Sequence, residues 1–240
     1  MSRLDPIRKP NHAASGASAR PTAVAVVWQQ MREAILSGHI APGQWLRQED
    51  LAASLVVSRM PIRAALDLLS HEGLVEQFPH RGARVVPLSV EELEEVYAAR
   101  LGLEGLAARY AAVQMDAGTL TELRLALPRL AALSSAGQRA EYLAEDRRFM
   151  ERFYDASARP RLCRQIAQLR GRAQRYLNLV FDGSDRLQWL DFSYSLFQAS
   201  AASNADEAEH VAEQALRWTL AQARPLVERI LAETNQAADV

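Results

Sequence analysis

The chain has 240 residues, 49% apolar and 24% charged, with 28 Lys+Arg against 29 Asp+Glu, a formal net charge of −1 and one cysteine, Cys163. That much apolar material fills a real core in one large or two modest domains, and a lone cysteine excludes an intrachain disulfide and a thiolate metal cluster. Apolar runs such as AVAVVW at 23–28 fall short of the roughly 18 residues of a membrane span, and MSRLDPIRKP at the start has no signal-type apolar stretch behind it, so a cytoplasmic protein is expected.

Residues 1–21, rich in Pro, Ser, Ala and charge without apolar periodicity, are expected to form a disordered tail. From Thr22 to Leu36 the apolar positions Val24, Val27, Trp28, Met31, Ile35 and Leu36 recur at helical spacing, and Ser37-Gly38 supplies a stop. APG at 41–43 is a turn; a second helix is predicted from about Gln48 to Leu55 and a third from Ser58 to about His71. GLVEQF and ARVVPL, separated by PHRG, read as two short strands around a tight basic turn carrying Gly82. Helix, helix, helix, hairpin is the order of a winged helix-turn-helix, which places a DNA-binding domain at 22–88.

Beyond Pro87 the pattern is helical throughout, with breaks near 116–118, 134–137, 157–160, 181–184 and 203–204. They delimit six helices, read as an antiparallel bundle at 89–235 whose interior can hold a ligand. The expected fold class is therefore mainly α. Charge divides along the same line: ten Lys+Arg against seven Asp+Glu up to Leu88, and 18 against 22 beyond it, so the first part is the one suited to meeting phosphate.

Within SRMPIRAALDLL, at 58–69, Ser58 is a good N-cap and Pro61 falls in the first turn, where its missing N–H costs nothing. Ile62, Ala65, Leu66 and Leu69 form an apolar stripe, leaving Arg59 and Arg63 together on another face near the helix start. A recognition helix is built this way, one face packed and its N-terminal end turned to the major groove. Arginine can make two bonds to guanine O6 and N7, and Met60 can touch a thymine methyl. His80 and Arg81 at the hairpin tip are candidates for a flanking minor groove or phosphate, and Arg47 and Gln48 at the start of the second helix for the backbone.

QEDLAASLVVSRMPIRAALDLLSHEGLV followed by PHRGARVVPLS resembles the DNA-binding domain of GntR-family bacterial transcription regulators, over roughly 25–88. The resemblance implies that Arg59 and Arg63 contact bases and puts Met60 where the family often has threonine. Glu49 stands where some members carry a DNA-contacting arginine, and Val56 replaces a common turn glycine.

VYAARLGLEGLAARYAA, at 96–112, resembles the opening helix of the all-helical effector domain of the FadR subgroup. That resemblance implies a dimerising bundle holding a small carboxylate or acyl ligand, often through a metal bound by an aspartate and three histidines. Here the aspartate falls on Asp146, while the histidine positions fall on Met150, Ser193 and Ala215. Of the five histidines only His210 lies in the bundle, on an expected solvated face, so neither a metal nor any other cofactor is expected.

Leu143, Asp146, Met150 and Phe153 share one helix face, as do Val96, Arg100, Leu103 and Ala107 on another, each apolar stripe carrying one charge. An Arg100–Asp146 ion pair is expected, either fixing the packing or forming the polar end of a pocket, with Ser193, Tyr194 and Phe197 candidates to line the same space. Trp189 and Trp218 read as core or dimer contacts. The expected protein is a homodimeric, ligand-responsive repressor on a palindromic operator. The competing readings are a ligand-independent architectural DNA-binding dimer and a helical enzyme with an appended DNA-binding module. Against the enzyme, Cys163 and His210 sit on separate segments and no phosphate loop or paired-carboxylate motif occurs.

Overall fold

A computed structural model describes residues 22–36, 38–79, 81–183 and 186–238, so the expected tail at 1–21 and His80 lie outside the described residues. The chain divides into two compact units, one ending at Pro87 and the other starting at Leu88.

The first unit holds α1 (Ala23–Leu36), β1 (Trp45–Leu46), α2 (Gln48–Leu55), α3 (Arg59–His71), β2 (Val75–Phe78) and β3 (Gly82–Val85). The hairpin pairs Val75 with Val85 and Phe78 with Gly82, and β1 adds to its free edge through Trp45–Arg84 and Leu46–Ala83, giving the antiparallel order β1-β3-β2. The apolar stripes converge on one core: Val27, Met31 and Ile35 from α1, Leu51 from α2, and Ile62, Ala65, Leu66 and Leu69 from α3, closed below by Leu46, Val75, Ala83 and Val85. β1 has no counterpart in the sequence reading, because two residues carry no period and the strand exists only through its pairing with β3.

α3 begins at Arg59, one residue later than expected. Ser58 is the N-cap by its extended backbone, but its hydroxyl makes no capping hydrogen bond. The α2–α3 turn closes through Val56, held at φ 56° and ψ 47° with its N–H bonded to Ala52 O. That is the left-handed region, where a β-branched side chain is strained by roughly 1–2 kcal/mol. Val56 is 84% exposed, so its side chain gains little in return. Val56→Gly is expected to stabilise the protein by about 0.5–1 kcal/mol after the entropy glycine adds to the unfolded chain. A urea midpoint that fails to rise would show that the turn stores no strain.

The second unit contains α4 (Val90–Gln114), α5 (Ala117–Ser135), α6 (Arg139–Asp155), α7 (Pro160–Gly183), α8 (Arg186–Ala201) and α9 (Ala205–Ala238), six helices among the described residues, as expected. Caps set several starts: Ser89, Asp116 and Asn204 accept from the N–H groups of Glu92, Thr119 and Glu207. α7 continues past Phe181, where the break was expected to begin, and ends at Gly183, with α8 starting at Arg186. Small residues let α4 and α9 approach closely, with Ala107, Ala108, Ala111 and Ala112 buried in one cluster with Ala208, Val211 and Ala212. A second cluster joins Leu88, Leu93, Val96 and Tyr97 to Ala173, Tyr176 and Val180 of α7 and to Leu216, Ala223 and Val227 of α9. Among the described residues no helix is long and apolar enough to cross a membrane.

Candidate nucleic-acid interface and bundle cavity

An open cleft of about 900 Å³ in the first unit lies between the start of α2, α3 and the β2–β3 turn. It gathers Arg47, Gln48, Arg63, Arg81 and Gly82 of the expected contact residues, together with Glu49 and Trp45. Arg59 and Met60 project from the first turn of α3, Met60 being 76% exposed although apolar, while the opposite face of the same helix is wholly buried. Arg59 Nη1 pairs with Glu49 Oε1 at 3.1 Å, and both side chains are more than half exposed, so the pair contributes little to stability. Its presence puts a carboxylate beside an arginine of the basic end.

Gly82 is explained by packing. At φ 93° a Cβ on it would stand 2.5 Å from Leu46 O, inside the β1–β3 contact, so only glycine lets the hairpin close against β1. Arg84 is turned away from the cleft tip, donating from Nε to Gly43 O at 3.0 Å. Trp45, which the sequence reading passed over, packs its ring 5.0 Å from Phe78 at the turn end of the hairpin and remains exposed two residues from Arg47. Its signal in sequence was an aromatic two residues ahead of Arg47, the N-cap of α2.

The bundle holds a cavity of about 70 Å³ whose polar end is made by Arg100, Glu104, Asp146, Tyr154 and Arg170. Arg100 does not pair with Asp146. Its Nε donates to Glu104 Oε1 at 2.5 Å, one helical turn along α4, where the spacing makes the partner local. Asp146, across on α6, accepts instead from Arg170 Nη2 at 3.3 Å. Glu104 Oε2 also accepts from the Tyr154 hydroxyl at 2.7 Å and from Arg170 Nη1 at 3.3 Å. Arg100 Nη1 and the hydroxyl of nearby Tyr97 are buried with no hydrogen-bond partner.

The charges respond to these surroundings. Burial alone would raise the Glu104 carboxyl, but the guanidinium groups of Arg100 and Arg170 outweigh it and hold the group below the ordinary carboxylate range. Asp146 goes the other way: burial pushes its carboxyl up, and Arg170 only partly offsets it. The Tyr154 hydroxyl is pushed well up by burial and by Glu104 beside it, so it stays a donor.

Leu143, Met150, Trp189, Phe192 and Leu196 form the apolar wall, Trp189 being stacked on Tyr142 at 6.1 Å and edge-on to Trp218 at 6.4 Å. Met150 and Ser193 line the cavity as expected, although the Ser193 hydroxyl donates to its own helix at Trp189 O, 3.2 Å away. Phe153, Tyr194 and Phe197 are not among the lining residues. Phe153 is fully buried in the core beside Tyr154, Tyr194 is 37% exposed, and Phe197 packs on the core from outside. Glu104, Tyr154 and Arg170 were missed; Arg100 and Glu104 at i,i+4 were the legible part of that signal.

Asp146, Met150, Ser193 and Ala215 all line this cavity, so the positions that a metal-binding relative would use do converge in space. Their chemistry does not fit a metal: one carboxylate already facing an arginine, a thioether, an engaged hydroxyl and a methyl group. Among the described residues no three His, Cys, Asp or Glu side chains cluster, and His210 lies exposed with a ring nitrogen 2.8 Å from Gln214 Nε2.

Residues 95–218 match the family model described as the FCD domain, and residues 24–85 match that of the bacterial regulatory proteins, gntR family. The chain is 30% identical over 131 residues to the HTH-type transcriptional regulator YdhC of Bacillus subtilis, 54% of this chain and 58% of that one. It is 37% identical over 83 residues to the gluconate operon transcriptional repressor of the same organism, covering 35% and 33%. The chain spans about half the length of the first of these relatives, at 58%, and a third of the second, at 33%. The solved structure of McbR/YncC from Escherichia coli superposes with a TM-score of 0.75 over 88% of this chain and 99% of that one, at 22% identity. A regulator from Rhodococcus sp. RHA1 gives 0.68 over 83% and 96%, also at 22% identity. At such identities the likeness is one of fold.

Proposed function

The chain belongs to the GntR family of bacterial regulatory proteins, with an FCD domain as its second unit, and from that premise we propose that it is a repressor that binds a palindromic operator as a homodimer and answers to a small organic acid. The observation that carries the DNA-binding half is α3 itself. Ile62, Ala65, Leu66 and Leu69 are buried to the last few per cent, while Arg59, Met60 and Arg63 stand exposed on its first turns. In this reading Arg59 and Arg63 take base edges in the major groove with Met60 between them. Arg47, Gln48 and Ser58 meet the backbone of the same groove, and His80 and Arg81 reach beyond it. The names of the gluconate operon relatives support repression as the output. The place of action is the cytoplasm.

The effector half rests on the cavity: an apolar space inside the bundle with a polar end where Arg100 and Arg170 meet Glu104 and Asp146 and Arg100 Nη1 has no acceptor, a donor that an acidic ligand could use. A ligand that binds one arrangement of the dimer better than another shifts DNA affinity by that difference. Selection of duplexes from a random library by the full-length protein is the direct test. It should return an inverted repeat with half-sites about one helical turn, roughly 34–36 Å, apart. Recovery of no common sequence would overturn the operator reading and leave an architectural DNA binder.

A further inference from the structure

The basic end of the first unit holds an acid that the stability of the fold does not call for. Among the described residues, Arg47, Arg63 and Arg81 have no carboxylate partner; Arg59 has one, with its Nη1 3.1 Å from Glu49 Oε1. That contact joins the first turn of α2 to the first residue of α3. Glu49 and Asp50 both suit the positive end of α2. Asp50 makes no ion pair among the described residues, so serving that end does not require reaching across to α3.

In the unbound protein both partners are exposed and the pair is worth little. Docking on DNA changes its weight. Water leaves the groove, phosphates close in, and a carboxylate without a cation would there be both repelled and stripped of its hydration. Glu49 therefore keeps Arg59 as its partner in the complex. The contact at Nη1 leaves the Nε and Nη2 donors for the two acceptors of a guanine edge, O6 and N7. It also offsets the charge of a long, flexible side chain that would otherwise be drawn to any nearby phosphate.

Resting on the reading that α3 enters the major groove, we propose that Glu49 is a specificity-determining residue: its carboxylate orients the Arg59 guanidinium toward a guanine edge and keeps it from the phosphate backbone. Glu49 is a positioning residue, acting through Arg59 and touching no base itself.

The test is titration of full-length wild type, Glu49→Gln, Arg59→Ala and the double variant Arg59→Ala/Glu49→Gln against the operator selected from the random library and a scrambled duplex, over a salt series. Unchanged melting temperatures check the folding of each variant. In Glu49→Gln the ratio of operator to scrambled affinity is expected to fall at least about tenfold, chiefly because the scrambled duplex is bound more tightly. The salt dependence of that non-specific binding should steepen by roughly 1–2 in log–log slope, as one arginine in each protomer becomes available to phosphate. In the Arg59→Ala background the same substitution should leave the ratio where it was. An unchanged ratio in Glu49→Gln would overturn the proposal. So would an equal fall in both backgrounds, which would make Glu49 itself a reader of a base donor such as the cytosine amino group. A ratio lowered by Arg59→Ala but untouched by Glu49→Gln would leave the reading of α3 standing. If Arg59→Ala does not lower the ratio either, Arg59 reads no base and the proposal falls together with that part of the reading.

Discussion

Replacing Arg59 and Arg63 together by alanine is expected to lower affinity for the selected operator by at least about a thousandfold, down to the level of non-specific DNA. The magnitude follows from two arginines in each of two half-sites, each good bidentate contact being worth about 1–3 kcal/mol of discrimination. The fold should survive. Both side chains are exposed, the apolar stripe that seats α3 is untouched, and the ion pair that Arg59 makes with Glu49 is a solvated one. Titration of the double variant against operator and scrambled duplexes, with an unchanged melting temperature, checks it. Operator recognition retained at near wild-type affinity would mean that α3 is not the reading helix.

The second large effect lies in the bundle. Glu104→Ala is expected to destabilise the protein by about 3–5 kcal/mol, because it strands the buried Arg100 and leaves Arg170 with Asp146 alone. Glu104 is 1% exposed and ties Arg100, Arg170 and Tyr154 to one carboxylate. Glu104→Gln keeps an acceptor and should lose less. The pH dependence has a definite sign. The folded carboxyl is held below its unfolded value, so its contribution is fully present above the ordinary glutamate range and is lost as pH falls through the lowered folded value. Urea unfolding in an acid series should show wild type losing stability there while Glu104→Ala, already weakened at neutral pH, loses correspondingly less. A loss below about 1 kcal/mol at neutral pH would place the cluster among ion pairs of no net consequence.

Periodicity carried most of the fold. The stripes on α1, α3 and the bundle helices are long enough to fix their type, and Val56 in place of a glycine pointed to the turn that the backbone makes at positive φ. β1 was invisible because a two-residue strand is defined by its partner. The cavity was half legible for a related reason. A helix stripe says which face is inward, not which residue of the next helix it meets, and that depends on axial alignment. Arg100 and Asp146 each sat as the one charge on an apolar face, which suggested a mutual pair. Glu104, one turn from Arg100, and Arg170, facing Asp146 from α7, supplied nearer partners. Phe153 and Phe197 share helices with lining residues, yet Phe153 is buried in the core and Phe197 packs against that core from outside.

The carboxylate of Glu104 joins α4, α6 and α7 through hydrogen bonds that an apolar contact could not replace in kind. Hydrocarbon faces tolerate sliding, since one methyl contact substitutes for another. A slip of α7 along its axis by one turn, about 5.4 Å, would carry Arg170 out of reach of both its acceptors and leave a charge in the interior. The cluster therefore acts as a registration mark. Among the many near-equivalent ways to stack these greasy rods, it singles out one alignment, and with it one shape of the hollow between them.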